Sequence, residues 1–154
     1  MDALNLPTYS FKIKSISDLD YIYDQFRKKY VRLTSEEWVR QNFALYMVNE
    51  KSYPASRLII EKSLRINTML KRCDILFFND FGHPNLMVEC KSPKEKIGQN
   101  TFNQVSIYNI AFKVKYLIIT NGLKHYCCSV DFENRQVSLI DEIPDFSKIR
   151  QIQE

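Results

Sequence analysis

Residues 115–120, KYLIIT, restrict the fold more than any other stretch of the sequence. The run is almost entirely apolar, so an extended chain places apolar side chains on both of its faces. Strands of this kind lie inside sheets that are covered on both sides. The sequence therefore predicts an α/β fold in which helices pack on the faces of a sheet.

The order of the other predicted elements fits a layered domain. A helix is predicted from the capping residue Thr34 to about residue 50, because Glu36 and Glu37 in its first turn favour the helix dipole. A second helix is predicted at residues 98–112. Strands are predicted at residues 57–66, 72–79, 86–91, 115–120, 125–131 and 137–140. This order, α-β-β-β-α-β with extra C-terminal strands, predicts a mixed β-sheet flanked by helices.

The chain of 154 residues is long enough for one domain with its own core. We predict that domain over residues 34–143. Residues 1–33 are expected to be an N-terminal extension packed on the core, with a short strand near residues 11–16 and a helix over residues 17–30. Residues 144–154 are expected to form a polar, loosely attached tail.

Composition narrows the class of protein. The net charge of +4 permits a polyanionic partner without requiring one. The four cysteines form no CxxC pair and the two histidines lie far apart, so no zinc site is predicted, and this cysteine usage fits a reducing cytosol.

Neither a signal peptide nor a membrane span is evident, which favours a cytoplasmic location. The aromatic residues follow the spacing of the core, so no stacking platform for single strands is expected.

Two charges interrupt an otherwise apolar strand in LMVECKSP, residues 86–93. Glu89 and Lys91 are two positions apart, so they project from the same face of the strand. Asp74 interrupts the preceding apolar run, RCDILFF, which should pair with this strand. Buried carboxylates need a counter-charge, which either a divalent cation such as Mg²⁺ or a salt bridge to Lys91 would supply. The spacing alone leaves both possibilities open.

This arrangement resembles the PD-(D/E)xK nuclease superfamily, which has a restriction-endonuclease-like core. In that fold an Asp opens the second core strand and ExK lies on the third, the places of Asp74, Glu89 and Lys91. Cys73 stands where the family name has proline, a position that varies widely in the superfamily.

A QxxxY element on the next predicted helix narrows the resemblance. Gln104 and Tyr108 are four residues apart and therefore share a helix face. With SEEWVRQNF, RCDILFF, LMVECKSP and YLIITNGLKHYC, this element makes residues 20–145 similar to the N-terminal domain of type I restriction enzyme R subunits (HsdR). No GxxxxGK[ST] element occurs, so we expect a stand-alone nuclease-like domain without an ATP site.

The resemblance implies a role for each matched residue. The catalytic set would be Asp74, Glu89, Lys91 and Gln104. The metal ligands would be Asp74, Glu89 and the Cys90 backbone carbonyl, with a water-mediated contact from Glu36, or from Glu37 as the alternative. DNA contacts are expected from Arg72, Lys94, Lys96 and Tyr108. For Gln104 and Tyr108 the competing interpretation is an ordinary polar helix surface.

These observations predict a DNA endonuclease that depends on Mg²⁺ or Mn²⁺ and acts in restriction, defence or repair. Two alternatives stay open: a non-catalytic DNA-binding module that keeps the fold, and a nuclease that acts on RNA. The resemblance also leaves room for a separate motor, methylase or specificity protein as a partner, and no membrane partner is expected.

Overall fold

The structure, a computed structural model, describes residues 1–151 apart from the side chains of Ile66 and Tyr108. Its elements, in chain order, are β1 (Ile13–Ile16), β2 (Leu19–Asp24), β3 (Lys29–Arg32), α1 (Ser35–Asn49), β4 (Leu58–Ile66), β5 (Met69–Phe78), β6 (Pro84–Cys90), α2 (Gln99–Phe112), β7 (Tyr116–Thr120), β8 (His125–Asp131), β9 (Gln136–Ile140) and α3 (Phe146–Ile149). Within residues 1–151, no helix is both long and apolar enough to cross a membrane.

Strands β4 to β9 form a six-stranded sheet in which the spatial order of the strands follows the chain. All neighbouring pairs are antiparallel except β6 and β7, which run parallel with Val88 opposite Ile118. A parallel pair needs a crossover connection, and α2 provides it. The predicted mixed sheet is therefore confirmed.

Helices cover the two faces of this sheet, as the KYLIIT segment predicted. On one face, Val39, Phe43 and Met47 of α1 pack with Val88 and Ile118. On the other face, Val105 and Phe112 of α2 pack with Met87, Leu117 and Ile119. Neighbouring residues of β7 thus belong to opposite cores, which explains why that strand carries apolar side chains on both faces.

The N-terminal region differs from its prediction, because residues 17–30 are not a helix. Strands β1, β2 and β3 form a separate three-stranded antiparallel sheet. Ser17 and Asp18 have φ values of 50° and 61° in the turn between β1 and β2, and Lys28 has a φ of 53° before β3. From Tyr21 to Asp24, side chains in β2 alternate between half-buried and buried, a period of two that the helical prediction overlooked.

The C-terminal segment also corrects its prediction. Residues 144–149 are neither wholly polar nor loose, because Phe146 and Ile149 of α3 are 6% and 1% exposed and belong to the core on the α1 side. The Tyr53 hydroxyl donates a hydrogen bond of 2.9 Å to the Pro144 carbonyl. Phe146 and Ile149 are three residues apart, so a single turn of helix places both on one face. Two apolar residues are too short a pattern to predict a helix from the sequence.

If this segment is part of the core, Phe146→Ala should lower the free energy of unfolding by about 3 kcal/mol, the lower end of the usual cost for a buried phenylalanine. Urea denaturation followed by circular dichroism measures the change. Leu139→Ala is the matched control, because Leu139 is 67% exposed and its loss should cost at most about 0.5 kcal/mol. Equal stability of the two variants would show that the C-terminal segment contributes little.

Candidate functional site

The candidate site lies where the neighbouring strands β5 and β6 separate. Pairing between them ends at Ile75 and Val88, and the next residue on each strand is an acid, Asp74 and Glu89. Asp74 Oδ2 accepts a hydrogen bond of 2.7 Å from the Cys90 N–H, which satisfies a backbone donor beyond the last paired residues. The end of the strand ladder therefore brings two carboxylates together.

A backbone irregularity on the other side of β5 accompanies this separation. In the β4–β5 pairing, Ile60 lies opposite Ile75 and Lys62 opposite Cys73. Glu61, between them, has a φ of 55°, a left-handed conformation that is uncommon for a glutamate. Asp74 is therefore flanked by departures from regular backbone pairing on both of its neighbouring strands.

Glu89 is the least satisfied charged group in the site. One of its oxygens, Oε1, lies 3.3 Å from the Lys91 ammonium. The other, Oε2, is buried and has no hydrogen-bond partner among the described residues. Burial raises the pKa of Glu89 to about 8, the negative charge of Asp74 and a hydrogen bond between the two carboxyl groups add to the rise, and Lys91 opposes it. A buried carboxylate oxygen without a donor is rare in folded proteins, so this atom calls for either a proton or a bound cation.

Arg40 of α1, which the sequence prediction did not single out, is the cation nearest to Asp74. Its guanidinium donates to Asp74 Oδ1 through Nη2 at 2.6 Å and through Nε at 3.2 Å. It also bonds to Glu36 at 2.9 Å and to Glu37. Although burial alone would lower the pKa of Arg40, these carboxylates raise it, so the side chain stays charged.

A second arginine extends the ion pairs away from the site. Arg27, in the turn between β2 and β3, bonds to Glu37 and to Asp24, and its Nη1 lies 2.6 Å from Glu61 Oε2. Asp24 is fully buried and also accepts the backbone N–H groups of Phe26 and Arg27 at 2.7 and 3.1 Å. Such buried pairs stabilise only as complete sets, so this network ties the N-terminal sheet to α1 and β4.

The two acids at the start of α1 have different surroundings. Glu37 is buried between Arg27, Arg40 and Gln41, and its own N–H bonds to the capping Thr34 hydroxyl at 3.0 Å. Glu36 is partly exposed, and its pKa is raised by burial and by the charge of Asp74, while Arg40 and Lys91 oppose the rise. The charges of Asp74 and Lys91 therefore affect the pKa of Glu36. Its water-mediated contact with a metal ion stays a prediction.

The other predicted residues lie around this cluster or outside what the structure describes. Lys94 and Lys96 are exposed on the loop after Lys91, and Gln104 is exposed on α2. The Arg72 side chain is 61% exposed and reaches Glu61 at 3.5 Å. Tyr108 lies on α2, but its side chain is outside the described residues, so its predicted DNA contact stays a prediction.

The structure adds one acid that no sequence pattern had singled out. This acid, Glu95, lies on the loop between β6 and α2. Burial lowers the pKa of Lys91, whereas the negative charge of Glu89 and, to a smaller extent, that of Glu95 raise it. The Asn121 side chain donates a hydrogen bond of 2.8 Å to the Glu95 carbonyl, which fastens this loop to the turn after β7. A long-range contact of this kind has no local sequence signal.

The residues present fit a divalent cation held by few protein ligands. Among the described residues no group of three or more Asp, Glu, His or Cys side chains could hold a metal ion, so the carboxylates available together are Asp74 and Glu89. Mg²⁺ commonly binds through one or two carboxylates and completes its coordination with water and phosphate oxygens. The buried, unpartnered Glu89 Oε2 is the observation that a cation would account for.

Comparisons with known proteins identify the family of the chain. The fragment structure of a putative HsdR subunit of a type I restriction enzyme from Vibrio vulnificus YJ016 is similar to the chain, with a TM-score of 0.52 and 17% sequence identity. The match covers 76% of this chain and 24% of that one, so the chain spans a small part of that fragment. No curated protein matches the chain in sequence.

The likeness in structure shows a restriction-endonuclease-like α/β fold. The family model described as type I restriction enzyme R protein N terminus (HSDR_N) matches residues 35–144, well over half of the chain. The chain therefore belongs to the family of type I restriction enzyme R protein N-terminal domains, which confirms the family named in the sequence analysis.

Arg40→Met should destabilise the protein by about 3–5 kcal/mol, because it leaves Asp74 and Glu37 buried without their shared cation. Urea denaturation at neutral pH measures the loss. Arg65→Met is the matched control, since Arg65 is exposed on β4 and its substitution should change stability by about 0.5 kcal/mol or less. Equal stability of the two variants would show that Arg40 is not the counter-charge of the site.

The raised pKa of Glu89 predicts a pH dependence of stability in metal-free protein. The unfolded state releases this proton near the ordinary pKa of 4.5, whereas the folded state keeps it up to about 8. Stability should therefore fall as pH rises through this window, by on the order of a few kcal/mol relative to Glu89→Gln, which has no proton to lose. Denaturation at both ends of the window, with EDTA present, tests this, and parallel profiles for the two proteins would contradict it. Glu133→Gln, at an exposed turn, should follow the wild type.

Proposed function

We propose that the protein is a metal-dependent DNA endonuclease of the PD-(D/E)xK type that hydrolyses phosphodiester bonds. The observation that carries this proposal is the buried Glu89 Oε2 without a partner, next to Asp74 and Lys91 where β5 and β6 separate. Membership of the type I restriction enzyme R protein family supports a nuclease-like domain. The proposed cofactor is Mg²⁺ or Mn²⁺.

Each residue of the cluster has a chemical task in this proposal. Asp74, Glu89 and the Cys90 carbonyl would hold the cation, and Glu36 would contact it through water. When bound, a divalent cation polarises a phosphoryl oxygen and lowers the pKa of its bound water. The Lys91 ammonium, 3.3 Å from Glu89, would stabilise the negative charge that grows on the phosphate or orient the attacking water.

The surrounding cations fit a phosphate backbone. Lys94 and Lys96 are exposed on the loop that follows Lys91, so they would bind phosphates without reading bases. Arg72 is exposed on the strand that carries Asp74 and would extend this surface. Gln104 would support the lysine or the bound phosphate, and Tyr108 would contact the DNA backbone, as the resemblance implies.

One observation favours the second candidate, a DNA-binding module without catalysis. Both oxygens of Asp74 already have protein partners, Arg40 on Oδ1 and the Cys90 N–H on Oδ2. An aspartate neutralised in this way is a weaker metal ligand, since the cation must share it with a guanidinium. The choice between the two functions therefore rests on whether a divalent cation binds beside Arg40.

The family name suggests a biological setting. As a domain of type I restriction enzyme R proteins, the chain would act in the cytoplasm together with motor, methylase or specificity proteins. A role in restriction or defence is the proposal that this family supports, and a role in repair is the alternative.

Cleavage of supercoiled plasmid DNA tests the catalytic proposal. We expect nicking with Mg²⁺ or Mn²⁺ and none with EDTA. Glu89→Gln and Lys91→Met should each lower the rate by at least about 100-fold, because each removes a group that acts on the reacting phosphate. Lys124→Met, at an exposed turn, controls for the loss of a positive charge and should keep the wild-type rate. Full activity in Glu89→Gln would rule out the proposed mechanism.

Two further measurements separate the alternatives. Isothermal titration of the metal-free protein with Mn²⁺ should show one site that Glu89→Gln loses. DNA binding without nicking and without Mn²⁺ uptake would instead establish the non-catalytic module. A labelled single-stranded RNA of the same base sequence, incubated with the protein and metal, shows whether RNA is the better substrate.

A further inference from the structure

The small N-terminal sheet has two faces of opposite character. Residues of β2 alternate, so Ile22 and Asp24 point to one face and Tyr21 and Tyr23 to the other. Ile22 and Asp24 are fully buried, and Asp24 belongs to the ion-pair network around Arg27. This face therefore packs against the rest of the protein, and the opposite face points outward.

Strand register places tyrosines and cations together on the outward face. Tyr21 lies opposite Lys14 on β1 and Arg32 on β3, and Tyr23 lies opposite Tyr30. Lys12 joins the same face beside Tyr23, to whose N–H its carbonyl is hydrogen-bonded at 2.8 Å. We call this set the tyrosine platform, and its members are Lys12, Lys14, Tyr21, Tyr23, Tyr30 and Arg32.

Contacts between side chains confirm that these residues share one surface. The rings of Tyr23 and Tyr30 meet edge to face with their centroids 5.3 Å apart. The Lys14 ammonium lies 3.9 Å from the centroid of the Tyr30 ring, and the Lys12 ammonium 5.9 Å from that of Tyr23. Cation–π contacts at exposed sites are weak, so a ligand can displace them.

The platform is accessible and carries charge of one sign. Lys12, Lys14 and Arg32 are exposed, Tyr30 is 38% exposed, and the other two tyrosines are half-buried. The register puts Asp20 opposite Ser15, on the other face of the sheet, together with Asp24. No strand residue on the outward face of β1 to β3 is acidic. The surface is thus complementary to a polyanion.

Open sheet faces with tyrosine rings and neighbouring cations suit single-stranded nucleic acid. Bases stack on aromatic rings while the cations bind the phosphates, and each stacked base contributes substantially to affinity. Side chains at positions i and i+2 of a strand are about 7 Å apart, more than the roughly 3.4 Å step of stacked bases in a duplex. A ligand on this face must therefore have bases that are free to separate, which excludes an intact duplex.

We propose that the tyrosine platform binds single-stranded nucleic acid by stacking bases on Tyr21, Tyr23 and Tyr30 and holding phosphates with the three cations. The proposal goes beyond the nuclease function and does not depend on it, since it concerns another surface. The platform also lies outside residues 35–144, the part of the chain that the family model matches. The proposal departs from the expectation, based on aromatic spacing that follows the core, that no stacking platform is present.

Fluorescence anisotropy with EDTA, so that no cleavage occurs, tests this proposal. The probe is a labelled oligothymidylate of about twelve nucleotides, a length within the range that single-strand-binding folds occupy. An abasic strand of equal length carries the same phosphates without bases. We expect the oligothymidylate to bind at least about tenfold more tightly than the abasic strand and than a duplex of equal length. Equal binding of the abasic strand would overturn the proposal.

Variants assign the binding to the platform. Tyr30→Leu should weaken oligothymidylate binding about tenfold, whereas Tyr30→Phe keeps the ring and should bind like the wild type. Lys14→Gln should lower the salt dependence of binding by about one counterion. Lys29→Gln is its matched control, because Lys29 lies opposite Asp24 on the other face and should leave binding unchanged. Thermal melts show whether each variant is folded.

The outcomes are distinct from those of the nuclease assay. Wild-type affinity in folded Tyr30→Leu, or equal effects of the Lys14 and Lys29 variants, would refute the platform even if the protein cuts DNA. Binding with these variant effects would support it even if the protein does not cut. An oligouridylate of the same length, measured alongside, identifies whether DNA or RNA is the better ligand, and failure of both to bind refutes the proposal.

Discussion

The buried guanidinium of Arg40 connects the helical layer to the charged end of the central strands. It contacts Asp74 on β5 and both acids in the first turn of α1, Glu36 and Glu37. Without a cation at this point, α1 would bring its acidic first turn against a strand that carries another buried carboxylate, Asp74. Coulomb repulsion in a buried environment would then oppose the packing that forms one of the two cores. The positive charge of Arg40 thus allows the apolar face of α1 to be buried next to a cluster of acids.

Because of this contact, the two carboxylates of the site, Asp74 and Glu89, have different numbers of hydrogen-bond donors. Asp74 receives two donors from Arg40 and one from the backbone of Cys90, whereas Glu89 has a single ammonium neighbour and one oxygen without a partner. The protein therefore gives one carboxylate several hydrogen-bond donors and leaves the other in surroundings that favour its protonated form. This asymmetry makes Glu89 the position at which an added positive charge would gain the most.

The sequence predicted those parts of the protein that depend on local patterns. The long elements of the main sheet and both main helices have clear periodicity, and KYLIIT required cover on both faces of the sheet. The charges of Asp74, Glu89 and Lys91 stood out because apolar strands surround them. Arg40 did not, because no local pattern in SEEWVRQNF marks this arginine as the counter-charge of a distant aspartate, and only the packing of α1 on β5 reveals its role.

The N-terminal sheet shows why the rest could not be predicted. Its strands have four to six residues, and its turns rely on positive φ values at serine, aspartate and lysine rather than at glycine. Such turns leave a weak sequence signal, and tyrosines spaced along the segment also fit a helical pattern. The N-terminal sheet therefore depends on contacts with α1 and β4 that are distant in sequence.

Similarity in sequence to the family begins at residue 35, but the ion pairs around α1 begin earlier in the chain. Arg27 supplies positive charge to both Glu37 and Glu61, which lie within the matched residues. The matched stretch therefore begins inside a buried electrostatic network, and residues before it supply part of the positive charge that its acids need. Residues 35–144 taken alone would leave Glu37 and Glu61 without Arg27, so the family's stretch of sequence and the unit of charge balance differ in this protein.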